Sequence, residues 1–472
     1  VLAAALAGCA IGPDYRRPAA PVPPAFKEAE GWKISAPRDD ADRGPWWTIF
    51  GDPVLNDLAP RVAASNQNLK AFEAAYRQAL AAVAQSRASL FPTAGANGAF
   101  TRSERGSGQT TVRTGAGGAP VAVATGPSNQ YSASFGGSWD IDVWGRIRRT
   151  LEASKASAQA SAADLANATL SAQAQLVTAY FELRVQDEAK RLLDQTAEGY
   201  AESYQIARNK YAQGVVSKAD LSQAETQLRN TQVQALGAQQ QRDQLEHAIA
   251  VLIGEAPAHF NLAPVPFAIE TPDVPVGVPS TLLERRPDVA AAERRVAAAN
   301  AQIGVAISAF FPDVTVTGSY GYSNSSLDTL FQASNRSWSV GPQLALSVFD
   351  AGARLAQVRR ARGAYDQEVA AYRQTVLTAM LQVEDQLTAV SALAEQAAIQ
   401  ADAVAAARDA QRIVRNQYKA GTVDFTTVAS AQATALASEQ SALGIRRSQL
   451  TAAVALIQAL GGGWTGAQLA GN

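Results

Sequence analysis

The spacing of hydrophobic and polar positions changes several times along the chain, and the changes come in the same order twice. From residue 52 or 55 to 90, apolar positions recur at helical spacing. The run SLFP (89–92) stops this pattern, because proline cannot continue a helix. Two short segments with period-two alternation follow, separated by a Gly/Thr/Ser-rich loop at 101–130. After DVWGR (142–146) the spacing predicts one very long helix over 146–212, broken at Gly214, and a second helix over 217–253. A proline-rich connector spans 255–280. The order then begins again: a helix predicted over 280–310, a stop at AFFP (309–312), two alternating segments, and DAGAR (350–354). A long helix to 419, Gly421, and a final helix to 460 complete it.

The repetition can be measured. The phrase RNKYAQGVV (208–216) returns as RNQYKAGTV (415–423), 207 positions later. Gly145 to Gly214 is 69 positions, and so is Gly352 to Gly421. Pro92 to Gly145 is 53 and Pro312 to Gly352 is 40, so the first copy carries 13 extra residues, assigned to the loop 101–130. Equal helix lengths with unequal loops are what a duplicated structural unit predicts. The expected organisation is a signal-peptide remnant (1–8), a lipidated extended tether (9–50) and a first structural repeat (51–254). The connector (255–280), a second repeat (281–460) and a glycine-rich tail (461–472) follow.

The alternating segments are two-faced. In VTVTGSYGY (314–322), Val314, Val316, Tyr320 and Tyr322 share one face, and Thr315, Thr317 and Ser319 the other. In 337–349, Trp338, Val340, Leu344, Leu346 and Val348 oppose Ser339, Gln343 and Ser347. Tyr131, Phe135 and Trp139 fall on one parity in the first copy. Period two over about ten residues suits a strand of an outer-membrane barrel. The same alternation suits an antiparallel sheet with one face on a soluble core.

The N-terminus favours the membrane. VLAAALAGCA ends in Leu6-Ala7-Gly8-Cys9 and reads as the tail of a signal peptide with a lipobox, leaving Cys9 as a lipidated N-terminal residue. No other stretch reaches the roughly eighteen uninterrupted apolar residues of a spanning helix, so any crossing is made by strands. Four strands cannot close a barrel, whose smallest spanning forms need about eight. Several copies of the chain must then share one.

The predicted helix over 146–212 would be roughly 100 Å long at 1.5 Å per residue. It is rich in Ala, Gln and Ser, as in LEASKASAQASAADLANATLSAQAQ (151–175). Such helices are stable when packed side by side over great length. This suits a wide assembly around a hollow, with a lipid-anchored coiled-coil stalk or adhesin as the alternative. Composition narrows the chemistry further. The formal net charge is −1, which does not suit an electrostatic nucleic-acid binder. Two histidines and one cysteine leave no metal cluster or disulfide framework to expect. No P-loop and no Ser/His/Asp constellation is present, so no catalytic residue and no enzyme activity is expected, and the only cofactor is the covalent lipid on Cys9.

Together these features resemble the TolC/OprM-type outer-membrane efflux factors, in the lipoprotein branch. The matching residues are Leu6-Ala7-Gly8-Cys9, GPDYRRP (12–18), WWTIFGDPVL (46–55), SLFP (89–92) and WDIDVWGR (139–146). In the second copy they are ERRPDVAAAERRVAAANAQIGVAISAFFPDV (284–314) and RNQYKAGTVDF (415–425). The resemblance implies a mainly α chain with a small transmembrane β part, four strands per chain. It implies a homotrimer whose twelve-stranded barrel in the outer membrane continues into a periplasmic α-helical barrel. It implies a passive duct for drugs or other toxic solutes, working with a periplasmic adaptor and an inner-membrane pump of the RND type. A duct for type I protein secretion on the same fold is the neighbouring alternative.

The resemblance also places the repeated phrase at the periplasmic tip, with Gly214-Val215 and Gly421-Thr422 as the adaptor-contacting turns. Tyr418 and Asp220 match a linked pair that latches the tip in such proteins. Where they often carry carboxylates this chain has Thr427 and Ser430, and Val423 stands at a gate-arginine position. The acidic constriction is therefore expected to be altered, with Asp424 or Glu225 as its displaced member. Asp220 is equally well placed as a solvated carboxylate in a helix's first turn, where the helix dipole favours it.

Overall fold

The computed structural model describes residues 10–29, 45–104, 110–114, 120–124, 127–267, 269–272 and 286–462. Cys9, the segment 1–8 and residues 463–472 lie outside the described residues, as does most of the connector beyond 272. Seven α-helices and six strands are described. In chain order they are α1 (Pro53–Ser65), α2 (Gln67–Ala88), β1 (Thr93–Ser103), β2 (Thr110–Thr114), β3 (Pro120–Ala124) and β4 (Ser128–Asp140). They continue with α3 (Arg146–Ala212), α4 (Lys218–Leu252), α5 (Pro287–Ser308), β5 (Asp313–Asn324), β6 (Arg336–Ala345), α6 (Ala353–Lys419) and α7 (Phe425–Ala459). The duplication is visible in the lengths: α3 and α6 both have 67 residues, and α4 and α7 both have 35.

Three elements differ from the pattern read in the sequence. The helix expected from 52 or 55 to 90 is two helices, because Asn66 breaks it. Asn66 Oδ1 accepts from the amides of Asn68 (2.9 Å) and Leu69 (3.1 Å), and its Nδ2 donates to the Leu252 carbonyl (2.8 Å). The extra residues of the loop 101–130 are not all loop, since β2 and β3 pair there as a two-stranded antiparallel ribbon. Finally, β6 stops at Ala345 although the alternation runs on to Val348. Ala345 pairs with Asp313, the first residue of β5, so residues 346–349 have no strand to pair with.

The chain divides into two compact units. The first holds the sheet, in which β1, β4, β5 and β6 lie in that order, all neighbours antiparallel. Here the N-terminal segment is held tightly. Gly12 and Gly304 touch so closely that a Cβ on Gly12 would lie 2.5 Å from Gly304 Cα. Asn300 donates to the Pro13 carbonyl (2.9 Å), and buried Arg149 pairs with Asp14 (2.9 Å) and Glu152 (2.8 Å). The first turn of α3 is closed by Asp142, which accepts from the amides of Ile147 and Arg148, both at 2.9 Å. Trp144 stacks on Phe311 and donates to the Pro312 carbonyl (2.9 Å).

In the second unit, Trp46, Trp47 and Phe50 are buried in a short 3₁₀ turn, and Phe50 packs edge-on against Phe181. Asp52 caps α1 and accepts from the Tyr180 hydroxyl (2.7 Å), whose pKa burial pushes up to about 12. The start of the connector is fixed by a buried ionic network on α3 and α4. Asp187 accepts from Arg184 and Arg242, both at 2.9 Å. Arg242 also pairs with Glu246 and donates to the Leu262 carbonyl, and Glu246 accepts from the Leu262 amide (2.8 Å). Arg184 donates to the Ala263 carbonyl (2.9 Å). No helix among the described residues is long and apolar enough to cross a membrane.

Candidate functional site

Two features carry the functional reading: the paired turns between the long helices, and the two-faced sheet. Both turns end their helix in the same way. Gly214 has φ +74° and Gly421 φ +78°, the left-handed region that glycine enters at no steric cost. At the first turn the Val215 amide donates back to Lys210 O (2.9 Å) and the Gly214 amide to Tyr211 O (2.9 Å). At the second the Thr422 amide donates to Gln417 O (3.0 Å) and the Gly421 amide to Tyr418 O (3.1 Å). Each is a Schellman motif that satisfies the last carbonyls of a 67-residue helix. A Cβ on either glycine would meet nothing within 4 Å, and Val215 is exposed, so both turns present open backbone.

The helices that leave these turns are capped by the same chemistry with its parts exchanged. Ser217 caps α4: its Oγ accepts from the Asp220 amide (3.2 Å), and the Asp220 carboxylate accepts from the Ser217 amide (3.1 Å) and hydroxyl (2.9 Å). Asp424 caps α7, accepting from the Thr427 amide (2.9 Å) and hydroxyl (2.6 Å). Ser217 and Asp424 are 207 positions apart, as are Asp220 and Thr427. The carboxylate and the hydroxyl have changed places, and a cap at each helix start survives. The hydrogen bonds from Thr427 hold the Asp424 carboxyl below its ordinary range. Glu225 is engaged locally with Arg229 (3.7 Å).

Tyr418 sits at the centre of a buried cluster with Ala207, Ala224, Phe425, Val428 and Ala429, against which Val423 also packs. Its counterpart in the first repeat, Tyr211, is 42% exposed against 2% for Tyr418, so the two turns are unequal in packing. The structure does not link Tyr418 to Asp220 by a hydrogen bond. The Asp220 carboxylate is engaged in its capping box, and the buried Tyr418 hydroxyl has no hydrogen-bond partner among the described residues. Burial, and then the nearby Asp220 charge, raise the Tyr418 pKa. Lys210 lies over the Tyr418 ring (4.1 Å) and donates to its carbonyl (3.2 Å).

Residues not singled out in the sequence join the repeats here. Glu202 on α3 accepts from Arg415 and from Lys419 (2.9 Å), both on α6. The hydrogen bond from Lys419, followed by the Arg415 charge, lowers the Glu202 pKa. The one available signal was the four-residue spacing of Arg415 and Lys419, which puts two cations on one helical face.

The sheet is two-faced. By register, Phe100, Tyr131, Phe135, Trp139, Val316, Tyr320, Trp338, Val340 and Leu344 project from one face. The other face carries Thr, Ser, Asn, Gln and Gly, with hydroxyl pairs across strands such as Thr93–Ser138 (3.1 Å) and Ser319–Ser339 (2.9 Å). Phe135, Trp338, Val340 and Leu344 are all more than half exposed within the chain. A sheet with an exposed aromatic face, a hydroxyl-rich face and helices leading off one end is that of an outer-membrane channel. Its edge strands β1 and β6 are each paired on one side only among the described residues.

Comparison with known proteins agrees. Residues 58–255 and 278–462 match the family model of outer membrane efflux proteins. The toluene efflux pump outer membrane protein TtgC of Pseudomonas putida is 32% identical over 479 residues, covering 98% of this chain and 94% of TtgC. The outer-membrane channel OprN superposes with a TM-score of 0.86 at 29% identity, covering 97% of this chain and all of that one. The CmeC outer membrane channel of Campylobacter jejuni superposes at 0.88 with 25% identity, covering 97% and 96%. The chain belongs to the outer membrane efflux protein family. It serves as an outer-membrane exit duct of an efflux pump.

Proposed function

We propose that three copies of this chain close a twelve-stranded barrel in the outer membrane, continuous with a periplasmic helical barrel. The duct passes drugs or other toxic solutes that an inner-membrane pump of the RND type delivers through a periplasmic adaptor. The observation that carries this reading is the sheet: two faces of opposite polarity and two open edges. Unpaired strand edges cannot remain in hydrocarbon, so the edges must be completed by other copies. The duct performs no chemistry, and the pump supplies the energy.

The adaptor meets the turns at Gly214-Val215 and Gly421-Thr422, whose open backbone offers room for a partner's hairpin. The gate lies around Tyr418, with Asp220 and Asp424 fixing the first turns of α4 and α7. A lipid on Cys9 anchors the tether. Native mass spectrometry of the detergent-purified protein tests the assembly. A single species of three chains is expected, and a stable monomer or dimer would overturn the reading. Mass analysis of the tryptic N-terminal peptide tests the anchor: an unmodified Cys9 would refute it.

A further inference from the structure

We propose that the outer-end boundary between adjacent copies binds the phosphates of an outer-leaflet lipid through Arg102 and Arg336. The proposal rests on the trimeric reading above, which brings the two edge strands together.

The aromatic face of the four-stranded sheet carries two charged side chains, Arg102 and Arg336, and no others. Arg102 shares the parity of Phe100, and Arg336 that of Trp338. Both lie at the end of the sheet that bears the β1–β2 and β5–β6 loops, opposite the end from which the helices leave. Both are exposed, and neither has an ion-pair or hydrogen-bond partner among the described residues. A cation on a lipid-facing surface is tolerated only where hydrocarbon gives way to head groups. Tyr131, Tyr322 and Phe331 lie at that same end, as an interfacial aromatic belt does.

The two arginines also occupy the two edges. Arg102 is next to last in β1 and Arg336 is first in β6. These strands run in opposite directions relative to the sheet's ends, so edge-to-edge closure brings Arg336 of one copy and Arg102 of the next to the same end of one boundary. The described carboxylates nearby are Glu104, two residues past Arg102, and Asp328, which accepts from Ser326 (2.5 Å). Glu104 and Asp328 balance the two guanidiniums in formal charge, so the pull on a phosphate comes from the forked donors of each guanidinium and not from net charge. Two guanidiniums match phosphate oxygens in bidentate geometry, and the acyl chains of the same lipid cover the apolar strands below. The occupant is therefore a phosphorylated glycolipid of the outer leaflet.

The test is native mass spectrometry of the full-length protein with bisphosphorylated lipid A, its phosphate-free counterpart and inorganic phosphate. The wild type should retain bisphosphorylated lipid A, one molecule per boundary, and not the phosphate-free form. R102Q/R336Q should lose about tenfold in affinity, and R102K/R336K should lose less. Equal binding of the phosphate-free lipid, or undiminished binding in the glutamine variant, overturns the proposal. Displacement of the lipid by inorganic phosphate at equal concentration also overturns it. Should the glutamine variant fail to assemble, the wild-type comparison of the two lipids decides alone. A trimer without lipid sinks this inference only, whereas absence of a trimer sinks the assembly on which it rests.

Discussion

Replacing Asp187 by alanine tests whether the buried network holds the connector to the long helices. The side chains of Asp187 and Arg184 are each 3% exposed and that of Arg242 is 6%. Removing one member of such a buried ion pair costs roughly 3–5 kcal/mol, because a desolvated charge is left behind. The lower end applies here, since Arg242 keeps Glu246 and the Leu262 carbonyl, and Arg184 keeps the Ala263 carbonyl. Burial pulls the Arg242 pKa down, and its hydrogen bonds to the Asp187 and Glu246 carboxylates more than reverse this; in the variant Glu246 remains to hold the charged guanidinium. The Leu262 amide, bonded to Glu246, reports the loss directly. A cost of about 3 kcal/mol corresponds to an exchange rate roughly a hundredfold faster at that amide in Asp187→Ala. The exposed Lys190–Asp194 pair is the control: solvent screens it, so Asp194→Ala should leave Leu262 exchange unchanged. Exchange in Asp187→Ala within about threefold of wild type would refute the reasoning, because burial would then not be what gives the network its strength.

Four further outcomes are expected. Gly304→Ala should release the N-terminal segment and speed tryptic cleavage after Arg16, because its Cβ would sit 2.8 Å from the Ile11 carbonyl. Gly214→Ala, in open space, should cost only the roughly 1 kcal/mol of its left-handed backbone, read as a small drop in thermal midpoint. The Glu202 carboxylate, depressed by Lys419 and Arg415, should clamp α3 to α6 at any pH above the ordinary glutamate value of about 4.3. That contribution is lost as pH falls through its lower folded pKa, so exchange of residues 414–422 should quicken on acidification, and already at neutral pH in Glu202→Gln. Asp140 and Asp313, the charged residues of the polar sheet face, lie near Arg146 (3.9 and 3.6 Å). Asp140→Asn with Asp313→Asn should weaken cation preference, measured as the reversal potential in a salt gradient.

The duplication and the two-faced strands were legible because each rests on local spacing: 69 positions between glycines, and period two within a strand. What escaped depended on distant partners. The break at Asn66 is fixed by the Leu252 carbonyl, and the end of β6 by where β5 begins. Glu202 and Arg415 are 213 positions apart, and no local pattern joins them. Tyr418 and Asp220 were matched by resemblance, and the resemblance could not show that Ser217 engages the carboxylate. Thr427, read in the sequence as a lost carboxylate, has a structural account: it donates to the Asp424 cap as Ser217 donates to Asp220. The strands of the 101–130 loop carried no clear alternation among its glycines and threonines.

The central claim is that the sheets of several copies enclose a pore lined by their hydroxyl-rich faces. Single-channel recording of the purified protein in a planar bilayer tests it most directly. Discrete, long-lived conductance steps are expected, with a smaller step when Ser134 or Thr317 on the polar face is replaced by tryptophan. Outward-facing Val340→Trp should leave the step size unchanged. Assembled protein that inserts without conducting, or a step altered by Val340→Trp and untouched by Ser134→Trp and Thr317→Trp, would contradict it.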